Sequence, residues 1–363
     1  MASKLSQIWT SGRNAYHLIA DHDDALSDDL NQRPNRCTRQ LIIWIFWAGS
    51  IVFTGILSLS AIFTISNWSH EAQVVSCRRP EIRREWRAMT DDERKNFTDA
   101  VNCLSRVPAR WGPNGTIYDD FSLLHEKIGS LSHGSASFLP WHRYALKVWE
   151  LSLREHCGFK GQVPYWDWTA DWMNLAASSI WDSTTGFGGD GNPDGPLIVG
   201  GGRCVTDGPF SHLRPIRYNH TYVEHCLSRG FQTTDAAGHP LGPWFGPESI
   251  GRLMRSPRYQ EFEWEMENRL HNRIHRAVSG DFLAFAAGND PVFYLHHAQI
   301  DHLWWRWQEE AKRTRLYQYE GKHLRNSTGN ASVTDLLRFG GFIEDVPVSH
   351  VMDTENKFLC YRY

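Results

Sequence analysis

The chain lacks an excess of charge of either sign. Its 363 residues carry 38 Lys and Arg against 41 Asp and Glu, which gives a formal net charge of −3. This balance excludes the basic surface of a nucleic-acid-binding protein, and 22% charged residues beside 41% hydrophobic ones exclude a disordered polyelectrolyte. Repeats of solenoid period are absent, and patterns typical of β-strands are few. The sequence therefore predicts a mainly α-helical globular protein with no nucleic acid as a partner.

Long hydrophobic runs are also absent, with one exception. Residues 41–65 carry no charge over 25 positions, and as a helix they would be about 37 Å long, enough to cross a bilayer. The run begins only after forty mostly polar residues, which argues against a cleaved signal peptide. We therefore predict three regions: a tail at 1–40, one transmembrane helix at 41–65 and a large domain at 66–363.

The flanks of this run predict which side of the membrane the large domain occupies. Three arginines, Arg33, Arg36 and Arg39, precede the run, whereas the next Lys or Arg is Arg78. The positive-inside rule then predicts a type II membrane protein, with a cytosolic tail and a lumenal or extracellular domain. Six glycosylation sequons agree, because all follow the run, at Asn67, Asn96, Asn114, Asn219, Asn326 and Asn330.

Cysteine usage points to the same compartment. Cys37 precedes the run, and the other six cysteines follow it, an even number that suggests three disulfides with fifteen possible pairings. A bond between Cys204 and Cys226 would close a local loop, and one between Cys77 and Cys360 would join the two ends of the domain. The sequence itself leaves the pairing open.

Helical spacing accounts for most of the large domain. Thr90 followed by Glu93 forms a capping-box pattern, which predicts a helix through Leu104. Apolar residues at helical spacing predict further helices at 138–157, 259–278 and 292–312. The segment 182–215 is rich in Gly, Pro, Asp and Ser, which predicts a long surface excursion rather than a domain boundary.

Histidine is abundant, with 18 residues, and six of them form two clusters. The first cluster is His125, His133 and His142, and the second is His271, His275 and His297. His271 and His275 are one helical turn apart and face the same way. Helices that pack in a four-helix bundle can bring two such triplets face to face. Ligation by imidazole alone suits copper, zinc or nickel, but Asn272 stands where a zinc peptidase would have its glutamate.

These residues resemble the two copper signatures of tyrosinases and related type-3 copper proteins. The first signature is matched at His133, Phe138, Trp141, His142, Arg143, Leu146 and Glu150. The second is matched at Asp290, Pro291, Phe293, Tyr294, His297 and Asp301. The resemblance covers about residues 77–363, and its beginning and end are similar to those of the shorter fungal tyrosinases.

The resemblance implies an antiparallel four-helix bundle that holds a type-3 dicopper centre, with O2 as co-substrate. Family members oxidise o-diphenols to o-quinones, and some first hydroxylate monophenols, so a small phenolic substrate is expected. By this resemblance one copper is held by His125, His133 and His142, and the other by His271, His275 and His297.

The resemblance also suggests residues that act on the substrate's proton. Glu267 and Asn272 match a pair that holds a water near the copper, with Glu263 as the fallback for Glu267. The alternative is that Glu267 merely caps or solvates a charged helix. Leu131 replaces a cysteine that forms a thioether in many fungal members, so no crosslink is expected. Because the sequence ends at Tyr363, we expect neither a C-terminal lid domain nor latency through its removal.

The sequence leaves other functions open beside that of a phenol oxidase. The protein could instead be a catechol oxidase or an o-aminophenol oxidase, a haemocyanin-like oxygen carrier, or a metal-free binding glycoprotein.

Arg143 and Asp301 are expected to form an ion pair behind the ligands. Trp304, Trp305 and Trp307 are expected in the core, and Phe285 either gates the pocket or is simply packed. No ligand role is expected for the histidines at His156, His212, His220, His225, His239, His296, His302 and His323.

Overall fold

The described part of the protein is mainly helical, as predicted. A computed structural model describes residues 77–325 and 327–363. Its helices are α1 (Asp91–Leu104), α2 (Ile117–Lys127), α3 (Phe138–Cys157), α4 (Pro247–Met254), α5 (Tyr259–Glu265), α6 (Asn272–Val278), α7 (Val292–Glu310) and α8 (Lys312–Arg315). A π-helical segment, Met266–His271, joins α5 to α6 without a break. Short 3₁₀ turns connect several of the other elements.

The helix boundaries follow local signals in the sequence. Thr90 caps α1: its hydroxyl accepts the amide N–H of Glu93, whose side chain accepts that of Thr90. Helix α3 has the predicted bounds and ends at Gly158, which adopts the left-handed conformation that favours glycine. Helix α7 ends two residues before the predicted boundary, because Ala311 leaves the helical region of backbone space.

The strands in the described residues are two residues long and pair two by two. Strand β1 (Glu81–Ile82) lies parallel to β8 (Tyr361–Arg362), so the beginning and end of the domain are adjacent. The other pairs are antiparallel: β2 (Arg203–Cys204) with β5 (Ser228–Arg229), β3 (Arg217–Tyr218) with β4 (Thr221–Tyr222), and β6 (Leu336–Leu337) with β7 (Val346–Pro347). These short pairs fasten loops rather than build a sheet.

Three disulfides cross-link the described part of the chain. Cys77–Cys360 fastens the same two ends that β1 and β8 bring together, and Cys204–Cys226 closes a local loop. Both match pairings suggested from the sequence. The third bond, Cys103–Cys157, links the last turns of α1 and α3.

Aromatic side chains fill the core between the helices. Trp304 and Trp307 of α7 are fully buried, as predicted, and Trp305 is half-buried. Trp149 of α3 stacks on Tyr294 of α7 with ring centroids 3.6 Å apart. This packing fixes α3 against α7, the two helices that carry His142 and His297.

The predicted excursion at 182–215 differs in part from the expectation. Its only regular secondary structure is β2, as expected of a loop. However, Phe187 and Phe210 are buried and stack on each other with centroids 5.4 Å apart. The segment is therefore anchored in the core at these two rings rather than lying wholly on the surface.

The predicted tail and transmembrane helix, 1–40 and 41–65, lie outside the described residues, as do the sequons at Asn67 and Asn326. Within 77–325 and 327–363, no helix has both the length and the apolar character needed to span a membrane. The four remaining sequon asparagines are all exposed, at Asn96, Asn114, Asn219 and Asn330.

Candidate metal centre

The first histidine cluster converges on one point. His125 lies near the end of α2, His133 follows a 3₁₀ turn, and His142 lies in the second turn of α3. One ring nitrogen from each lies within 4.8 Å of the other two. His125 and His142 are buried, and His133 is half-buried at the edge.

Backbone carbonyls fix the orientation of these three rings. The Nδ1 atoms of His125, His133 and His142 lie 2.6, 3.0 and 2.7 Å from the carbonyl oxygens of Phe285, Gly129 and Phe138. An Nδ1–H that donates to a carbonyl leaves the lone pair on Nε2, which is the tautomer that metal-binding histidines adopt. The Nε2 atoms of His125 and His142 are buried without a hydrogen-bond partner among the described residues.

The second cluster contains four histidines rather than the three expected. His271 ends the π segment, His275 lies one turn later in α6, and His296 and His297 are adjacent in α7. One ring nitrogen from each lies within 4.8 Å of the others. The Nε2 atoms of His271 and His275 are buried and unpartnered among the described residues, as are both ring nitrogens of His296 and His297.

His296 and His297 differ in which way their rings face. The ring of His297 is parallel to that of His142, with centroids 4.1 Å apart and planes inclined by 7°, so it lies between the two clusters. The ring of His296 lies 5.4 Å from His271 and 6.1 Å from Trp168, on the side away from the first cluster. The sequence predicted no ligand role for His296 but did suggest that it packs near the site, and the structure places it within this group.

Burial keeps these imidazoles neutral. Loss of solvation lowers the pKa of His125 and of His275 to about 4, and it lowers the pKa of the other five histidines well below the usual value. Neutral imidazole is the form that binds a metal. Burial of polar nitrogens without a partner costs free energy, and a bound metal would offset that cost. The orphaned nitrogens and the all-imidazole donor set therefore fit two soft or borderline metal ions such as copper.

The π segment explains how one helix presents a whole row of site residues. Its i→i+5 hydrogen bonds give a wider turn than an α-helix, so residues four apart lie more nearly above one another. Glu263, Glu267, His271 and His275 follow this spacing and are all buried on one face. The sequence predicted a continuous helix over 259–278 but gave no sign of the π segment.

Glu267 and Glu263 form a buried carboxyl pair beside the histidines. Glu267 accepts the N–H of Gly134, the residue after His133, at 2.9 Å from each oxygen. Burial and the negative charge of Glu267 raise the pKa of Glu263, and the two carboxyls hydrogen-bond to each other. Burial raises the pKa of Glu267 as well, but hydrogen bonds from Glu263 and Gly134 oppose the rise. Ionisation of Glu263 is therefore disfavoured beside Glu267.

Asn272 lies at the boundary between this site and solvent. It is exposed, and its side-chain oxygen lies 3.1 Å from Nδ1 of His271. It therefore orients His271 in the way that backbone carbonyls orient the first cluster. Glu267 is the second residue of the π segment, and Asn272 directly follows its last residue, His271.

Comparison with known proteins decides the family. The common central domain of tyrosinase matches residues 115–310, which contain both histidine clusters. The chain belongs to the tyrosinase family. It is therefore an oxidoreductase of a copper oxidase family, and the dicopper centre that this family implies is compatible with the two histidine clusters.

Similar proteins cover most of this tyrosinase-family chain. A tyrosinase-like protein, phomQ2, from Diaporthe leptostromiformis is 59% identical over 89% of this chain and 83% of its own length. A tyrosinase, ustQ, from Aspergillus flavus is 58% identical over 85% of this chain and 86% of its own. Among solved structures, a mutant polyphenol oxidase from Thermothelomyces thermophila superposes with a TM-score of 0.68 at 26% identity, over 80% of this chain and 90% of that one.

Behind the tyrosinase-type site, a buried ion pair ties three parts of the chain together. Asp301 of α7 accepts hydrogen bonds from Arg143 Nε of α3 and from the hydroxyls of Tyr361 and Tyr363 near the C-terminus. Arg83 adds a contact at 3.3 Å. The expected pair of Arg143 and Asp301 is thus present, within a larger network that holds α3 and α7 at the level of their histidines.

Two apolar residues lie at the edge of the site. The ring of Phe285 is 38% exposed and its centroid lies 5.6 Å from that of His133, while its carbonyl accepts the bond from His125. Phe285 therefore both fixes a histidine and borders the opening. Leu131, at the position of the thioether cysteine in many fungal members, is exposed.

Proposed function

We propose that the protein is a copper-dependent phenol oxidase that uses O2 to convert monophenols, o-diphenols or both to o-quinones. The observation that carries the proposal is the pair of buried, neutral histidine clusters with unpartnered nitrogens, which meet where the rings of His142 and His297 stack. Because a ring of each cluster lies 4.1 Å from a ring of the other, the clusters favour a pair of metal ions that act together rather than a single structural ion.

The proposed ligands are those expected from the sequence. His125, His133 and His142 would hold one copper, and His271, His275 and His297 the other. The orientation of the His297 ring towards the first cluster supports its choice over His296. Helices α2, α3, α5–α6 and α7 would form the antiparallel four-helix bundle around the metals. When bound, copper supplies the centre at which O2 is bound and reduced as the phenol is oxidised.

The protein's own residues would handle the substrate's proton. A phenol has a pKa of about 10, so it arrives protonated at neutral pH and binding as phenolate needs a base. Glu267 fits this role because it is buried beside the histidines, and because hydrogen bonds from Glu263 and Gly134 oppose the rise that burial causes in its pKa. Asn272 would help to orient a water between Glu267 and the phenol.

A catechol oxidase or o-aminophenol oxidase without monophenol activity is the second candidate. The observation in its favour is Phe285, whose exposed ring borders the opening beside His133 and can restrict how deeply a substrate enters. A catechol can be oxidised from a shallower position than ortho-hydroxylation of a monophenol requires.

Oxygen uptake by the copper-loaded protein tests the proposal. Tyrosol and hydroxytyrosol differ by one ring hydroxyl, so they form a matched monophenol and catechol. Uptake with both would support a tyrosinase, and uptake with hydroxytyrosol alone would support the second candidate. A protein that holds two coppers and binds O2 reversibly without oxidising either compound would be a carrier, and the proposal would be wrong.

We also propose that the copper domain is lumenal or extracellular and is held by the helix predicted at 41–65. The supporting observations are the arginines before that segment, the three disulfides and the four exposed sequon asparagines. The membrane and a small phenol are thus the partners proposed for this chain.

A further inference from the structure

A cavity of about 910 Å³ lies beside the histidine clusters and is lined by none of their residues. Its walls are the segment Gly134–Ala136, the end of α4 with the link to α5, the outer face of α5 and the π segment, and the loop from Gly321 to Arg325. A cavity of roughly 150 Å³ is enough to hold benzene. This cavity therefore has room for much more than a phenol ring.

The wall of this cavity carries a surplus of positive charge. Three carboxylates line it, and two of them are neutralised nearby: Glu261 lies 2.6 Å from Arg258, and Glu265 lies 3.3 Å from Arg269. The third, Glu263, is buried, and burial together with the charge of Glu267 raises the pKa of its carboxyl. Six basic side chains line the same wall, namely Arg252, Arg255, Arg258, Arg269, Lys322 and Arg325.

Three of the six basic groups form no ion pair in the described residues, although Arg325 is near enough to Glu267 to lower the pKa of that carboxyl. Across the part of the chain that the structure describes, Arg255, Lys322 and Arg325 form no ion pair within 4.0 Å, and all three are exposed to the cavity's solvent. Arginine and lysine in this state favour a bound anion, and arginine can hold a carboxylate through two parallel hydrogen bonds.

Arg325 connects this cavity to the proposed active site. It packs over Gly134, where an added Cβ would lie only 3.1 Å from the Cγ of Arg325. Gly134 follows His133 and donates its N–H to Glu267. The basic wall thus begins one residue away from a proposed copper ligand.

An aromatic ring completes the wall. Trp264 lines the cavity with 51% of its surface exposed, and the guanidinium of Arg269 lies 5.4 Å from its ring centroid. An exposed indole beside basic groups suits a ligand with a carbon chain that ends in an anionic group.

We propose that this cavity binds the carboxylate-bearing chain of a phenolic substrate whose ring lies at the histidine clusters. Arg325, Lys322 and Arg255 hold the carboxylate, and Trp264 contacts the chain. The proposal rests on the phenol oxidase function and specifies the class of substrate, namely phenols that carry a carboxylate on a flexible substituent.

Turnover of three catechols tests the charge requirement. Dihydrocaffeate carries the carboxylate, its methyl ester is neutral and dopamine is cationic. We expect the wild-type kcat/KM for dihydrocaffeate to exceed that for the ester by about tenfold, mainly through KM, with dopamine the poorest substrate, because only the acid can accept charge-assisted hydrogen bonds through a carboxylate. The double variant Arg325→Gln, Lys322→Gln should use the acid and the ester about equally, at matched copper content.

The control is Arg313→Gln, which removes an exposed arginine that does not line the cavity. It should keep the wild-type preference for the acid. Equal use of acid and ester by the wild type, or an unchanged preference in the double variant, would overturn the proposal.

Binding without turnover separates this proposal from the proposed function. Calorimetry with the copper-free protein should show that dihydrocaffeate binds more tightly than its methyl ester and that the double variant loses this difference. If that result holds while the copper-loaded protein oxidises no catechol, the anion site stands and the phenol oxidase function is wrong. If the copper-free protein binds acid and ester alike, the anion site is wrong whatever the activity.

Discussion

The rings of His142 and His297 stack in parallel, with centroids 4.1 Å apart, although the two residues are 155 positions apart in the chain. His142 belongs to α3 and His297 to α7, and Trp149 and Tyr294 of the same helices stack in parallel as well. The two histidine clusters therefore share one rigid interface between helices. A change that shifts α3 against α7 would therefore move one member of each cluster.

Loss of one histidine from either cluster should abolish oxidation. In His142→Ala or His297→Ala we expect less than two coppers per chain and no catechol oxidation, since a single ion cannot replace the pair. Metal analysis and oxygen uptake measure both effects. His239→Ala, at an exposed histidine outside both clusters, is the matched control and should retain both coppers. Full activity in either cluster variant would contradict the ligand assignment.

The adjacent histidines of α7 should respond differently to the same substitution. His297→Gln should lose one copper, because its ring faces the first cluster. His296→Gln should retain two coppers, since its ring lies against His271 and Trp168 on the far side. Copper content, measured after gel filtration of each variant, decides between them. If His297→Gln kept both coppers and His296→Gln lost one, His296 would be the copper ligand and His297 would not.

Removal of the proposed base should affect monophenols more than catechols. Loss of a general base typically costs ~10²–10⁴-fold, whereas a catechol already carries a second acidic hydroxyl and depends less on that base. In Glu267→Gln, the rate with tyrosol should fall much further than that with hydroxytyrosol. Glu263→Gln, which keeps a hydrogen-bonding side chain beside Glu267, is the comparison. Equal falls for both substrates in Glu267→Gln would show a structural role only.

The Asp301 network should make the copper-free domain sensitive to acid. Burial works against ionisation of Asp301, but Arg143 and Arg83 outweigh it and lower the pKa of this carboxyl in the folded state. The stabilisation is therefore present above the unfolded pKa of about 3.9 and is lost as pH falls through the lower folded pKa. Asp301→Asn should lose ~3–5 kcal/mol near neutral pH, since it leaves Arg143 buried without a counter-charge.

Urea unfolding of the copper-free domain measures this effect. The wild type should lose stability as the pH falls below about 4, and Asp301→Asn should show a smaller dependence on pH in that range. A variant as stable as the wild type near neutral pH would show that the network contributes nothing.

The predicted anchor can be tested on the whole chain in sealed vesicles. Protease added outside should remove only residues 1–40, and glycosidase should shift the mass of the protected remainder through Asn96, Asn114, Asn219 or Asn330. Digestion of the copper domain in intact vesicles would show the opposite orientation. Release of the protein by alkaline carbonate would show that 41–65 does not span the bilayer.

Much of the site was predictable because its geometry follows from short-range spacing. His271 and His275 face one way on any helix, and the cap at Thr90 and the bounds of α3 depend on neighbouring residues alone. Longer-range features were not predictable. The burial of His296 depends on how α7 packs, and the π segment depends on tertiary contacts that outweigh local preference.

The contacts of the acidic and basic groups were likewise not predictable from the sequence. Sequence reasoning named Glu263 as a fallback for Glu267, whereas the structure places the two in one hydrogen-bonded pair. It also gave no sign of the cavity beside Trp264, because Arg255 and Arg325 meet there from segments 70 residues apart in the chain. Contacts at that separation require the folded structure.

The bond between Cys77 and Cys360 closes the copper domain into a covalent ring. A cut between Cys157 and Cys204 would place each of the other two disulfides within one fragment, and the ring-closing bond alone would then hold the fragments together. Proteolytic cleavage between residues 182 and 203 would therefore give two bands on a reducing gel and one on a non-reducing gel. The first histidine cluster would then lie on one fragment and the second on the other. Both fragments would stay covalently linked through Cys77 and Cys360.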